Sequence, residues 1–378
     1  MSVRSAIISA LDMATRPLLV PCYLVAARLS VPLVHGRRRR LSLEQAPNES
    51  DEADPFPSEA APVSVEIDEW PVVSVVIPVL NGEKVIGRCL DSIRALDYPR
   101  ERLEVIVADN GSTDQTAEIA RSHDVAVVVE PKPGAAAARN AGIAAARGEW
   151  VATTDADCVV HPLWLRQLVA VALREQSSAV GGRILSVCRE AVVKEFCARE
   201  DLLDQQAAVE GRMLSFPFVI TANGLFRREA IVSMGGFDEE FTDAAAEDVD
   251  LGWRLDERGD AFAYAPNAWV CHRQRERGVD IHAQYYRYGL SEVRLYLKHR
   301  HRLSPRDLAK HLWIRPILYR NFWNATWHWA TTPPDGGHRD RRRLWRLVVL
   351  KELGHMAGKM EGGRRWRTWR HFRLWTYE

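Results

Sequence analysis

The run Val72-Val73-Ser74-Val75-Val76-Ile77-Pro78 constrains the fold more than any other segment. A half-exposed strand alternates apolar and polar residues, whereas a nearly unbroken β-branched stretch marks a strand covered on both faces. Such a strand needs helices above and below its sheet, and the residues that follow supply them. Asn81-Gly82 makes a turn, and Lys84 to Leu96 predicts a helix with Val85, Ile86, Leu90 and Ile93 on one side. Leu103 to Ala108 reads as a second strand, Thr113 to Ser122 as a second helix and Val125 to Val129 as a third strand. Gly134 breaks the chain before an Ala-rich helix over 135–146, and Trp150 to Thr154 gives a fourth strand. This alternation indicates right-handed βαβ units, hence an α/β fold with a mostly parallel central sheet flanked by helices.

Ligands of such sheets bind beyond the carboxyl ends of the strands. Pro78-Val79-Leu80-Asn81, Asp109-Asn110-Gly111-Ser112 and Asp155-Ala156-Asp157 all fall there. Carboxylates at i and i+2 point the same way off an extended chain, which sets Asp155 and Asp157 side by side. Two hard oxygen donors so placed suit Mg²⁺ or Mn²⁺ bridging a diphosphate. A second acidic cluster, Glu247-Asp248-Val249-Asp250, opens another amphipathic stretch; Asp250 reads as an early helix residue favoured by the helix dipole. Asp-Asn-Gly-Ser is also strong turn chemistry, so Asp109 is equally expected to organise its own loop. The segment from Gly134 to Asn140 opens a helix with free N–H groups, where Arg139 could add a charged fork toward phosphate.

Bulk properties narrow the partners. The 378 residues carry a net charge of +1, so no global field draws in nucleic acid. Six cysteines (Cys22, Cys89, Cys158, Cys188, Cys197 and Cys271) show no C-x-x-C spacing and are expected to be reduced and mostly buried. No stretch of 18 apolar residues exists; Leu18 to Ala27 resembles a signal-peptide core but is read as a membrane-surface or packing segment. Composition divides the chain into an apolar, basic segment 1–43, an acidic, Pro-rich linker 44–69, an α/β domain 70–290 and a helical extension 291–378.

These motifs together resemble family 2 glycosyltransferases: Val73 to Asn81, Val107 to Asp114, Gly134 to Asn140, Asp155-Ala156-Asp157, Asn223 to Arg228, Gly235-Gly236-Phe237-Asp238, Glu247-Asp248 and Gln284 to Tyr288, in the family's order. The resemblance implies a GT-A fold and inverting, nucleotide-sugar-dependent transfer. It implies that Asp109 reads the nucleotide base, with Pro78, Asn81 and Glu83 lining the same pocket. It implies Asp157 as metal ligand, Asp155 on ribose or metal and His272 completing the shell. It implies Asp248 as the base, with Glu247 touching the acceptor or supporting the loop. Gln284, Arg287 and Tyr288 resemble the Gln-x-x-Arg-Trp element beside acceptor and diphosphate, with Tyr in place of Trp.

The expected partners are a nucleotide-sugar of UDP or GDP/dTDP type and a lipid-linked or polysaccharide acceptor of the cell envelope. A nucleotidyltransferase of sugar phosphates would carry a Gly-rich basic loop after the first strand, which Pro78-Val79-Leu80-Asn81 is not. A non-catalytic nucleotide-sugar-binding scaffold would not need both acidic clusters. Eight of the 13 Trp (Trp313, Trp323, Trp327, Trp329, Trp345, Trp366, Trp369 and Trp375) lie in the tail among Arg runs. That composition favours peripheral contact with the cytoplasmic face of a membrane through both termini.

Overall fold

The computed structural model describes residues 69–200, 203–242, 245–305, 316–333 and 338–366, together with Phe56, Ile67, Leu308 and His311. The expected segment 1–43 and nearly all of the linker 44–69 lie outside the described residues. The chain divides into two units, one within Ser42–Glu276 and one from Arg277 onward.

The larger unit is built on an eight-stranded mixed sheet in the order β3-β2-β1-β4-β7-β6-β8-β5. Strands β1 (Val73–Val79), β2 (Leu103–Asp109), β3 (Ala126–Val129) and β4 (Trp150–Thr154) form a parallel half. Helices α1 (Ile86–Arg94), α2 (Thr116–Ser122) and α3 (Ala135–Ala145) connect them. The other half holds β5 (Cys158–Val160), β6 (Ala179–Val187), β7 (Asn223–Arg227) and β8 (Phe262–Arg273). It joins antiparallel through β4–β7, β6–β7 and β5–β8, while β6–β8 is parallel. The expectation of a mostly parallel sheet therefore describes one half; the antiparallel strands arrive from far along the chain.

Two cores explain the unbroken apolar run of β1. Val73, Val75, Ile77 and Val79 face α1 and α4 (Trp164–Arg174), whereas Val76 faces the opposite layer. That second layer holds Ile143 of α3, Ile231 of α7 (Arg228–Ser233) and Leu251 and Leu255 of α8 (Glu247–Arg258). Between β1 and β8 run α5 (Ala191–Glu200) and α6 (Gln205–Val209) as well. Where β6 and β8 slip register between Gly182 and Arg183, the buried Asn223 closes the gap. Its Nδ2 donates to the Arg183 and Ala268 carbonyls at 2.8 Å each, and its Oδ1 accepts from Trp164 Nε1 at 2.7 Å. Every polar group of that amide is thereby satisfied, as burial demands.

The smaller unit consists mainly of helices: α9 (Gly278–Lys298), α10 (Pro316–Thr331) and α11 (Arg339–Arg365). The domain boundary expected at 290/291 falls inside α9. Helices α9 and α11 meet backbone to backbone. A Cβ at Gly289, Gly354 or Gly358 would come within 2.1, 2.3 and 2.0 Å of the carbonyl oxygens of His355, His282 and Tyr286. No helix among the described residues is long and apolar enough to cross a membrane.

Glu292 of α9 stitches this unit. It accepts from His355 Nε2 at 2.7 Å, and it pairs with Lys359 Nζ at 2.8 Å and His311 Nδ1 at 3.0 Å. Burial works to raise its pKa, but Lys359 and the two histidines outweigh this and hold the carboxyl well below the usual glutamate value. A depressed carboxylate contributes stability above its unfolded value and loses it as pH falls through the folded one. Glu292→Gln is expected to cost about 3 kcal/mol near neutral pH, by stranding Lys359. In urea titrations the deficit should shrink as the pH drops below the ordinary glutamate range.

Candidate active site

The loops after β1 and β2 are interlocked by side chains. Asn81, held in the left-handed region at φ +53°, accepts from Thr113 N at 2.9 Å, while its own N–H donates to Ser112 Oγ at 2.8 Å. Asn is among the few residues that tolerate that conformation. Glu83 Oε2 accepts from Gln115 N at 3.2 Å, and Glu83 N donates to Asp114 Oδ2 at 3.2 Å. Pro78 lies opposite Ala108, so Asp109 follows directly at the strand end. Asp109 is buried and accepts from Ser112 N at 3.1 Å, which is the turn role its sequence context predicts. Pro78, Asn81, Glu83 and Asp109 thus share one polar corner.

A second pair of loops meets there through Asn110 and Asn140, neither of which the sequence singled out. Asn110 Nδ2 donates to the carbonyls of Glu130 and Lys132 at 3.0 and 2.7 Å, and its Oδ1 accepts from Gly134 N at 2.8 Å. Gly134 adopts φ +132°, open to glycine alone, and starts α3. Asn140 grips the Gly235-Gly236-Phe237 turn, with Oδ1 accepting from Phe237 N at 2.8 Å and Nδ2 donating to Phe237 O at 2.9 Å.

Asp155 and Asp157 stand in a turn between β4 and β5, closed by Cys158 N to Asp155 O at 3.0 Å. This corrects the strand-alternation argument: the turn, not the pleat, sets their spacing. The β5–β8 ladder places His272 opposite Cys158. His272 Nε2 then lies 3.6 Å from Asp157 Oδ1 and 3.9 Å from Asp155 Oδ2. The side-chain amide of Gln274 lies 3.0 Å from His272 Nδ1 and steadies the ring.

Asp157, Cys158 and His272 present their potential ligand atoms within 4.8 Å of one another. Burial, reinforced by Asp157 and Asp155, pushes the Cys158 thiol well above its ordinary value. The available donors are therefore carboxylate oxygen and imidazole nitrogen, a set that fits Mn²⁺ and accommodates Mg²⁺ less well.

The buried Arg139 of α3 joins the two acidic clusters. Its Nη2 reaches Asp155 Oδ1 at 3.0 Å and its Nη1 reaches Glu247 Oε1 at 2.7 Å. Two nitrogens expected at phosphate are thus engaged by carboxylates, and the guanidinium also lies 5.7 Å over the Phe237 ring. Glu247 Oε2 is buried without a hydrogen-bond partner among the described residues.

Asp248 follows Glu247 in the first turn of α8, and its Oδ1 accepts from Val249 N at 2.8 Å. Desolvation, then the neighbouring Glu247 charge, raise its pKa to about 7 against the opposing pull of Arg139. Ala246, immediately before the pair, holds the left-handed conformation at φ +67°. Such strain in a non-glycine residue gathers at functional turns. Asp250 belongs to the packing instead, ion-paired to Arg254 Nε at 2.8 Å, and Arg254 in turn donates to the carbonyls of Met234 and Gly236.

The site geometry has counterparts. Residues 74–234 match the family model described as Glycosyl transferase family 2. That segment is similar to the family 2 glycosyltransferases. Glycosyltransferase AglE of Haloferax volcanii is 29% identical over 251 residues, covering 65% of this chain and 80% of that protein. Pre-mycofactocin glycosyltransferase of Mycobacterium tuberculosis is 35% identical over 240 residues, 62% of this chain but only 49% of its own length. The chain thus spans about half of that second relative. Among solved structures, the mannosyltransferase PcManGT from Pyrobaculum calidifontis, in complex with GDP-Man and Mn²⁺, aligns with a TM-score of 0.55 at 21% identity. The alignment covers 97% of this chain and all of that one, which establishes the shared GT-A fold.

Of the family residues expected from sequence, this glycosyltransferase unit gathers Asp155, Asp157, His272, Arg139, Glu247 and Asp248 through the contacts above. Gln284, Arg287 and Tyr288 lie on α9 of the other unit, where Gln284 Nε2 donates to Tyr288 OH at 2.7 Å. Arg139→Met is expected to destabilise the sheet unit by about 3–5 kcal/mol, the cost of stranding a buried partner. Urea titration near neutral pH reads the deficit.

Proposed function

We propose that this chain transfers a glycosyl group from a nucleotide-sugar donor to an acceptor hydroxyl, with inversion at the anomeric carbon. One observation carries the reading: a single buried arginine holds Asp155, beside Asp157 and His272, and at the same time Glu247, beside Asp248. A site for diphosphate and a site for a proton acceptor are thereby locked together. The named glycosyltransferase relatives support the class, and the similarly folded mannosyltransferase seen with GDP-Man and Mn²⁺ supports the donor type.

In this reading, Asp109, Asn81, Glu83 and Pro78 receive the nucleotide at the ends of β1 and β2. Asp157 and His272 would hold a divalent cation, with Asp155 alongside. When bound, it supplies Lewis-acid neutralisation of the departing diphosphate. Asp248 takes the proton of the acceptor hydroxyl while that oxygen bonds to the anomeric carbon and the bond to the diphosphate oxygen breaks. A pKa near 7 suits this work, since a base poised near the working pH is both available and strong enough to accept the proton. Glu247 Oε2, buried and unpaired, offers an acceptor for a sugar hydroxyl. Arg139 orients both carboxylates, and Gln274 orients His272. We place the reaction on the cytoplasmic side of the cell membrane, with a lipid-linked or polysaccharide acceptor and a UDP, GDP or dTDP donor.

Asp248→Asn is expected to lower kcat by ~10²–10⁴, the usual worth of a positioned base, with donor affinity nearly unchanged. Normal turnover by that variant removes the base assignment. The transfer rate of the unaltered enzyme should rise with pH through about 7, because only the ionised carboxylate accepts a proton; a bound cation moves this limb to lower pH. Asp157→Ala should weaken Mn²⁺ and donor binding together in thermal-shift titrations. Unchanged titration curves contradict the ligand role.

A further inference from the structure

Helix α10 carries an outward stripe that nothing in the transfer reaction uses. Arg320, Trp323, Trp327 and Thr331 recur at helical spacing and are all exposed, with Trp327 at 68% and Trp323 at 37%. Phe322 and Ala325 are turned inward instead, at 8% and 0%. Indole rings bury a large apolar area when they find cover, so two left open one turn apart on a single face mark a contact surface.

Its surroundings name the partner. Helix α10 contains no acidic residue. Helix α11 runs back alongside it: His328 stacks on Trp345 with ring centroids 4.5 Å apart, and Arg342 lies 5.9 Å over Trp329. These contacts bring the start of α11 beside the end of the tryptophan stripe. That start exposes Arg339, Arg341 and Arg346 against a single acid, Asp340. Exposed indoles flanked by exposed guanidinium groups match the boundary of an anionic bilayer. There the ring sits at headgroup depth, its N–H stays hydrated and the cations meet lipid phosphate.

We infer that the face of α10 bearing Trp323 and Trp327, with the adjoining arginines of α11, docks on the surface of a membrane rich in anionic phospholipid. It does so as a peripheral anchor without crossing. The inference is independent of the transfer mechanism, since none of its residues belongs to the proposed active site.

Co-sedimentation of the full chain with vesicles tests it, comparing phosphatidylcholine alone with phosphatidylcholine containing phosphatidylglycerol. Binding is expected to the anionic vesicles and to fall steeply with added salt. Trp323→Ser/Trp327→Ser and Arg339→Gln/Arg341→Gln/Arg346→Gln should each weaken it on the order of tenfold or more, about the fold-change expected from removing two or three such contacts. Circular dichroism melting establishes that the variants fold, and quenching of the unaltered chain's tryptophan fluorescence by brominated lipid needs no substitution. Failure to bind anionic vesicles at low salt, or equal binding by the tryptophan variant, overturns the inference. So does loss of self-association in the tryptophan variant, which assigns the face to a second copy. Tight binding of an oligonucleotide with none to vesicles overturns it too. Donor turnover with a soluble acceptor should be unaffected by either variant, so failure here and failure of the transferase reading are told apart.

Discussion

Carboxylates brought together in a partly dry site repel one another, and this chain collects Asp155, Asp157, Glu247 and Asp248 around one end of its sheet. Arg139 makes that arrangement tolerable. A guanidinium stays charged in any protein environment and offers a planar set of donors, so it serves two carboxylates at once where a lysine would favour one. Desolvation opposes its charge, and Asp155, Glu247 and Asp248 restore it. The cation and its anions are each other's condition for burial: none would be stable there alone.

The bridge also divides labour among similar groups. Glu247 receives the full hydrogen bond from Arg139, whereas Asp248, one residue on, receives only a backbone N–H from Val249 and another from Thr221. Two adjacent carboxyls therefore meet different environments, and burial beside the Glu247 charge raises the pKa of Asp248 to about 7.

The parallel half of the fold was legible in the sequence because its signals are local. The β1 run, the apolar side of α1 and the turn residues between them each occupy a few consecutive positions. Errors at the edges have local causes: Gly82 O accepts from both Val85 N and Ile86 N, so the predicted start at Lys84 is a turn that tightens into helix later. The antiparallel half left no such mark. β4 pairs with β7, whose residues arrive after three intervening helices, and nothing in either segment announces the partner. The same limit applies to the site. Asp155, Asp157, Glu247 and Asp248 could be singled out as types in clusters, yet the partners of Arg139 stand 16 and 108 positions away. An arginine at a helix start reads as a phosphate group's neighbour until the fold shows which anions reach it first. Asn110 and Asn140 act through several contacts to loops distant in sequence, and Gln274 through one to His272; composition offers no signal for either.

The glycine seam of the helical unit has a consequence of its own. Because Gly289, Gly354 and Gly358 bring main chain against main chain, the gap between the two long helices is defined by peptide geometry rather than by side-chain volume. A methyl group at any of the three acts as a wedge, with no neighbouring side chain able to shrink in compensation. Sequence change along this pair is accordingly channelled to its outer surfaces, leaving the spine as the part of the unit least free to drift.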